Sequence, residues 1–242
     1  MQRAATFGGA LVVLALAAAT SSGQEYLTGI EWPKPPIITP GKNAGDPPSD
    51  AILLFDGKDL SKWENGENWN VEGGVATNKP GAGYIVSKQR FGDSQLHIEW
   101  SAPTPATGTS QGRGNSGVFF GNYELQVLDS YENETYYDGQ ASAIYKQQPP
   151  MVNVMRPPGE WNVYDIIFRA PRFSATGAVT SPARMTVFHN GIVVQDNYTL
   201  LGPTTHTVRT PYAQHPDKLP IMLQDHGHPV RFRNIWIRPL PQ

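Results

Sequence analysis

Apolar residues in this chain recur at every second position, and almost nowhere at the three-to-four spacing of a helix. Side chains of an extended strand alternate faces, so this rhythm commits the chain to sheets with one buried side. Leu96, Ile98 and Trp100 face one way, and Gln95, His97 and Glu99 the other. Residues 163–168, 221–224 and 230–237 read as further strands. Residues 185–189 and 192–195 flank Asn190-Gly191, a two-residue hairpin signal. No amphipathic helix longer than three turns stands out, and neither does a repeat of fixed period. With 24 Gly and 22 Pro among 242 residues, turns are frequent enough to separate many short strands. The expected fold class is all-β, an antiparallel sandwich of jelly-roll type.

The run from Asn115 to Ser130 is the richest in chemistry and reads as one strand. Tyr123, Leu125 and Val127 share its apolar side, while Glu124 and Gln126 share the other. Asp129 falls on the apolar side by strict alternation, and a single β-bulge would return it to the polar one. Acidic residues are poor strand formers. Their presence here points to a sugar site, against the alternative of an exposed polar face with no task.

The N-terminus reads differently. Arg3, an apolar stretch over residues 10–19 and small residues over 19–23 make residues 1–23 a secretory signal peptide. It is too short for a permanent anchor, and no other stretch is apolar enough to span a bilayer. The protein is accordingly expected to be secreted or periplasmic. Residues 24–49 are polar and Pro-rich, an extended arm either draped on the domain or free. The globular domain is expected over residues 50–242, long enough to bury a core without disulfides. The chain has no Cys, which removes thiol nucleophiles and Cys-ligated metals. A net charge of −2 without a basic run argues against nucleic acid as a partner.

Three more clusters carry usable groups. In Gln224-Asp225-His226-Gly227-His228, Gln224 and His226 share strand parity. An imidazole there suits general acid or base work near neutral pH. The alternatives are a polar strand end, or a metal held by Asp225, His226 and His228. Arg231 and Arg233 share a face and could polarise a carbonyl, or pair with an acid on the next strand. Tyr145-Lys146 and Trp161-Asn162 offer ring faces and hydroxyl partners for a sugar, with a core role for Trp161 as the alternative. No G-x-S-x-G elbow, Walker A loop, H-E-x-x-H or dinucleotide fingerprint is present.

Several of these pieces, taken in order, resemble one family. Residues 54–63 (LFDGKDLSKW), 114–118 (GNSGV), 123–129 (YELQVLD), 143–146 (AIYK), 159–162 (GEWN), 189–191 (HNG), 223–227 (LQDHG) and 232–236 (FRNIW) are similar to the 3-keto-disaccharide hydrolase domain, from about Ile52 to Leu240. The resemblance implies a concanavalin-A-like jelly roll of secreted or periplasmic bacterial proteins. It also implies 3-keto-glucoside 1,2-lyase and 3-keto-glucal hydratase activity on a small carbohydrate. The strand also looks like the E-x-D-x-x-E strand of laminarinase-type glucanases, but reads E-x-Q-x-x-D here. That departure disfavours two-carboxylate retaining hydrolysis.

A ketone at carbon 3 acidifies the hydrogen on carbon 2, so elimination needs a base there, an acid at the leaving oxygen and a donor at the enolate oxygen. The expected assignment takes His226 or Glu124 as base, and Asp129 or the other of that pair as acid. Lys146 or Arg233 polarises the ketone. Asn115, Gln126 and Gln224 hold hydroxyls, and Trp161 provides a stacking face. No cofactor is required, although an assisting divalent cation stays open. A lectin-like binding module and a conventional endoglucanase are the competing readings.

Overall fold

Two antiparallel sheets face one another across a core built from the alternate apolar residues. The computed structural model describes residues 29–241, so the expected signal peptide lies outside the described residues. Residues 29–37 carry no helix or strand and belong to a small separate unit, whereas the chain from Ile38 onward belongs to the sandwich unit.

In chain order the first strands are β1 (Ile52–Phe55), β2 (Trp63–Glu64), β3 (Asn70–Glu72), β4 (Val75–Thr77) and β5 (Ile85–Phe91). The central ones are β6 (Ser94–Ser101), β7 (Ser116–Phe120), β8 (Tyr123–Val127), β9 (Asn162–Arg169) and β10 (Arg172–Phe173). The last are β11 (Val179–Ser181), β12 (Arg184–His189), β13 (Ile192–Thr199), β14 (Leu219–Leu223) and β15 (Arg231–Pro239). No α-helix occurs among the described residues.

The larger sheet runs β13, β12, β9, β6, β15, β4, β3. On one edge of β15, β4 takes Arg231 and Phe232, and β1 takes Ile235 to Ile237. The smaller sheet runs β2, β5, β14, β7, β8, and β10 and β11 form a separate ribbon. Trp100, Tyr164, Ile166, Phe168 and Phe232 enter the core from the larger sheet. Ile85, Val118, Phe120, Tyr123, Leu125 and Ile221 enter it from the smaller one. Phe120 stacks on Phe168 across the gap, with centroids 4.4 Å apart. Burying each such side chain contributes about 1.5–3 kcal/mol. The result is the expected jelly-roll sandwich.

One local expectation is corrected. The run from Asn115 to Ser130 is not one strand but a hairpin, with Gly121 and Asn122 turning β7 into β8. Gly121 sits at φ 60, a left-handed conformation that glycine adopts without strain. The Asn190-Gly191 hairpin forms as expected, with His189 opposite Ile192.

The outer face of the larger sheet carries a charged cluster under the segment around Gly45. Gly45 C=O accepts hydrogen bonds from Asn234 Nδ2 and Trp236 Nε1, both at 2.9 Å. Arg238 clamps Asp50 through two nitrogens. Beneath Gly45, His97 is only 1% exposed. Its Nδ1 lies 2.7 Å from Asp165, and its Nε2 lies 3.7 Å from Glu99. Burial alone would lower its pKa, but the Asp165 and Glu99 carboxylates overcome burial and raise it to about 9. Hydrogen bonding to His97, with help from Asn234 and Arg233, holds Glu99 at about 2 against the opposing effect of burial.

The folded protein therefore keeps the His97 proton up to about pH 9, whereas the unfolded chain releases it near the ordinary 6.5. This stabilisation is complete below 6.5 and fades as pH rises through 9. His97→Gln is expected to flatten the fall of the denaturation midpoint across that window. An unchanged slope would show that the folded imidazole carries no charge.

Candidate active site

A cavity of about 310 Å³ opens on the side of the smaller sheet that faces away from the core. Strand pleating sets its floor. With Tyr123, Leu125 and Val127 seated in the core, Glu124 and Gln126 of β8 point into the cavity. Asn115 precedes β7, Phe119 lies on it, Gln224 and His226 follow β14, and Tyr84 precedes β5. The segment after Ala141 extends the sheet past β8. Ile144 bridges to Leu125, and Tyr145 N–H donates to Glu124 C=O at 3.3 Å. Residues 204–206 close that side.

Glu124 is 5% exposed. Its backbone N–H donates to Thr204 Oγ1 at 2.9 Å. No hydrogen bond reaches its carboxyl among the described residues, and burial pushes its pKa up to about 8. Gly117 makes the placement possible: a Cβ there would lie 2.8 Å from Glu124 Oε1. A side chain there would push against both the carboxyl and the Phe119 ring.

Around it stand amide oxygens whose NH₂ groups are already committed. Gln126 Nε2 donates to Gln111 Oε1 at 2.9 Å and to Gly139 C=O at 3.3 Å. Gln224 Nε2 donates to Tyr84 Oη at 2.6 Å. The Oε1 atoms of both glutamines are buried without a partner among the described residues. Asn115 Nδ2 donates to Gln111 C=O at 2.9 Å, leaving its Oδ1 available. Such oxygens can only accept, which suits a ligand rich in hydroxyl donors.

His226 is exposed at the mouth, its ring parallel to that of His228 at 6.1 Å. The metal alternative fits the donor set poorly. Asp225 instead accepts from Asn78 Nδ2 and from the Gly83 and Gly227 N–H groups, and no cluster of three metal-type ligands forms among the described residues.

The structure places Glu124, Asn115, Gln126, Gln224 and His226 around one cavity, and corrects the placement of four other candidates. Asp129 follows the end of β8 with no bulge to turn it. It is 1% exposed and bound to Arg113 Nε at 2.7 Å and to Tyr131 N–H, so it pins a loop outside the cavity. Arg233 lies on the larger sheet, held 2.6 Å from Glu99, which is the alternative of pairing with an acid on the next strand. Its guanidinium covers the Trp161 ring at 4.0 Å, so neither residue reaches the cavity. Lys146 lines a neighbouring hollow, with Nζ over the Tyr136 ring and 3.6 Å from Asp138.

Sequence reasoning passed over Tyr84, Phe119, Thr204, Thr205 and His206, which also line the cavity. It passed over Gln111 as well, the residue that holds both Gln126 and Asn115. The Thr-Thr-His-Thr run at residues 204–207 was the one local signal for the loop members.

A jelly-roll sandwich with a carboxyl, imidazoles and hydroxyl-accepting amides in an open cleft on one sheet has the build of a carbohydrate-active enzyme. Residues 50–238 match the profile of the 3-keto-alpha-glucoside-1,2-lyase-like domain, and the chain belongs to that family. A protein from Parabacteroides distasonis, provisionally described as a glycosyl hydrolase, is 48% identical with a TM-score of 0.82. That match covers 90% of this chain and 98% of the other. Two further proteins of that organism with the same description are 20% and 23% identical, with TM-scores of 0.56 and 0.57. They cover 79% and 78% of this chain, and 94% and 99% of their own, and share the fold. No curated protein matches the chain.

A buried carboxyl with its pKa raised from 4.5 to about 8 keeps a proton that the unfolded chain releases. Stability therefore falls as pH rises across that interval. Glu124→Gln has no such proton to lose and is expected to denature later than the parent at about pH 9, with the advantage shrinking toward pH 4. Equal midpoints at the higher pH would show the carboxyl to be well solvated.

Proposed function

We propose that the protein cleaves glycosides already oxidised to a ketone at carbon 3, by elimination across carbons 1 and 2 and then addition of water. The observation that carries this reading is a solitary acid: Glu124 is the one carboxyl among the described residues lining the cavity. Ordinary glycosidases of either stereochemistry use two. One desolvated carboxyl suits a different task, removal of a proton beside a carbonyl, and a pKa near 8 makes it a stronger base than a solvated carboxylate. The family match supports the keto sugar as substrate.

In this reading the Glu124 carboxylate takes the hydrogen from carbon 2. The electron pair moves toward the carbon 3 oxygen, where His226 is the donor for the enolate. Collapse of the enolate turns the single bond between carbons 1 and 2 into a double bond and expels the oxygen on carbon 1, leaving an enone. Water then adds at carbon 1, and Glu124 returns the proton to carbon 2. Asn115, Gln126 and Gln224 accept the sugar hydroxyls. The same reading takes residues 50–242 as the catalytic domain and residues 1–23 as a removed export signal, which N-terminal sequencing of the mature protein checks.

Glu124→Gln is expected to lower turnover of a 3-keto glucoside about 10²–10⁴-fold, and His226→Ala to lower it too. The kcat/KM of the parent should rise with pH and level off above the Glu124 pKa of about 8. Enone absorbance and release of the free alcohol follow the reaction. Near-normal turnover by both variants would overturn the assignment, and tight sugar binding without any product would mark a binding module instead.

A further inference from the structure

Beside the cavity that holds Glu124 lies a second hollow of about 320 Å³, and Thr205 and His206 line both. Each is of the size that ligand sites occupy, about 300–1,000 Å³. We propose that the second hollow holds the leaving half of the substrate, a second sugar ring, and that His206 on the seam protonates the departing oxygen. This rests on the reading of the first cavity as the keto-sugar site.

The order of groups across the sheet supports it. His226 follows β14, β7 lies next to β14, and Glu124 lies on β8 beyond β7. Tyr145 is the next residue out, bonded through its N–H to Glu124 C=O. His206 comes after it, its Nδ1 3.0 Å from the Tyr145 hydroxyl. Tyr136 Oη, 2.7 Å from Tyr145 Oη, steadies that hydroxyl in turn. His226, Glu124 and His206 thus stand in sequence across the cavity, the two histidines at its rim and Glu124 on its floor. A keto sugar presents its ketone oxygen, its acidic hydrogen and its leaving oxygen on three consecutive carbons, in that order. With Nδ1 tied to Tyr145, the ring keeps Nε2, which makes no hydrogen bond among the described residues, for the third of them.

The second hollow selects for a sugar by its polarity. Asp138 and Lys146 lie 3.6 Å apart there, joined by Thr207 and Arg209, with Pro203 as the one purely apolar side chain among the described lining residues. A carboxylate that accepts and cations that donate satisfy neighbouring hydroxyls of a pyranose. An aryl group finds no ring face among these lining residues beyond the His206 imidazole. The chemistry balances: the carbon 2 proton passes to Glu124, the bond from carbon 1 to oxygen breaks, and that oxygen takes the proton on His206 Nε2. The water that then adds at carbon 1 gives its spare proton back to His206.

The test compares a 3-keto disaccharide, whose sugar alkoxide leaves poorly, with a nitrophenyl 3-keto glucoside, whose phenolate leaves without help. His206→Ala is expected to lose about 10²–10⁴-fold on the disaccharide and much less on the nitrophenyl compound. His206→Gln, which can still bond Tyr145 but has no titrating proton, should behave like the alanine variant. Arg209→Ala should raise KM for the disaccharide with kcat nearly kept, because it removes binding common to ground and transition states. Equal losses on both substrates, full rescue by glutamine, or an unmoved disaccharide KM in the arginine variant would overturn the proposal. Turnover of the nitrophenyl substrate by the parent and its loss in Glu124→Gln report on the first cavity alone, so the two readings fail separately.

Discussion

Seating Tyr123, Leu125 and Val127 in the hydrocarbon core is the constraint on which the candidate active face depends. A strand paired without a bulge alternates its side chains strictly, as β8 does against β7, so anchoring these three leaves Glu124 and Gln126 only the opposite direction. A slip of one residue against β7 would exchange acid for hydrocarbon on both faces, and core burial forbids it. The precision of the site is thus borrowed from packing on the far side of the same strand. Residues 204–206 and the segment around Tyr145 then flank the polar face, and Glu124 loses most of its contact with water.

The two sheets treat buried charge in opposite ways. On the larger one, His97, Asp165, Glu99, Asn234 and Arg233 answer one another within hydrogen-bond or ion-pair distance, and His97 at their centre is buried beneath Gly45. That arrangement is structural, since every charge has its counterpart. On the smaller one, Glu124 is desolvated with no donor among the described residues to offset the loss. An ionisable group left in that state is unfavourable for folding and persists where chemistry uses it. The contrast within one chain separates scaffold from site without appeal to any relative.

Much of this was legible in the residues. The alternation of Leu96, Ile98 and Trp100 against Gln95, His97 and Glu99 named the core side of β6, although His97 is buried on the other side beneath Gly45, a cover that periodicity does not reveal. Parity also marked Glu124 and Gln126, and the matched motifs marked Asn115, Gln224 and His226. The failures came where partners are distant in sequence. Asp129 belongs to Arg113, and Arg233 to Glu99, through a register between β6 and β15 that no local pattern encodes. The Gly121-Asn122 turn was visible but was hidden by reading through it. His206 reaches the site from a loop 82 positions past Glu124, in a stretch without periodicity, and only folding joins them.

The pairing of β1 with β15 has a consequence for how the molecule is made. The earliest strand finds its partner at the extreme far end of the polypeptide, and β15 also separates β6 from β4. Until that last strand is synthesised, the larger sheet lies in two pieces with raw edges. Such a topology ranks among the slow-folding, non-local ones. A chain without Arg231–Pro239 therefore gains little of the final architecture, because that segment is the seam of the whole sheet rather than a dispensable fringe.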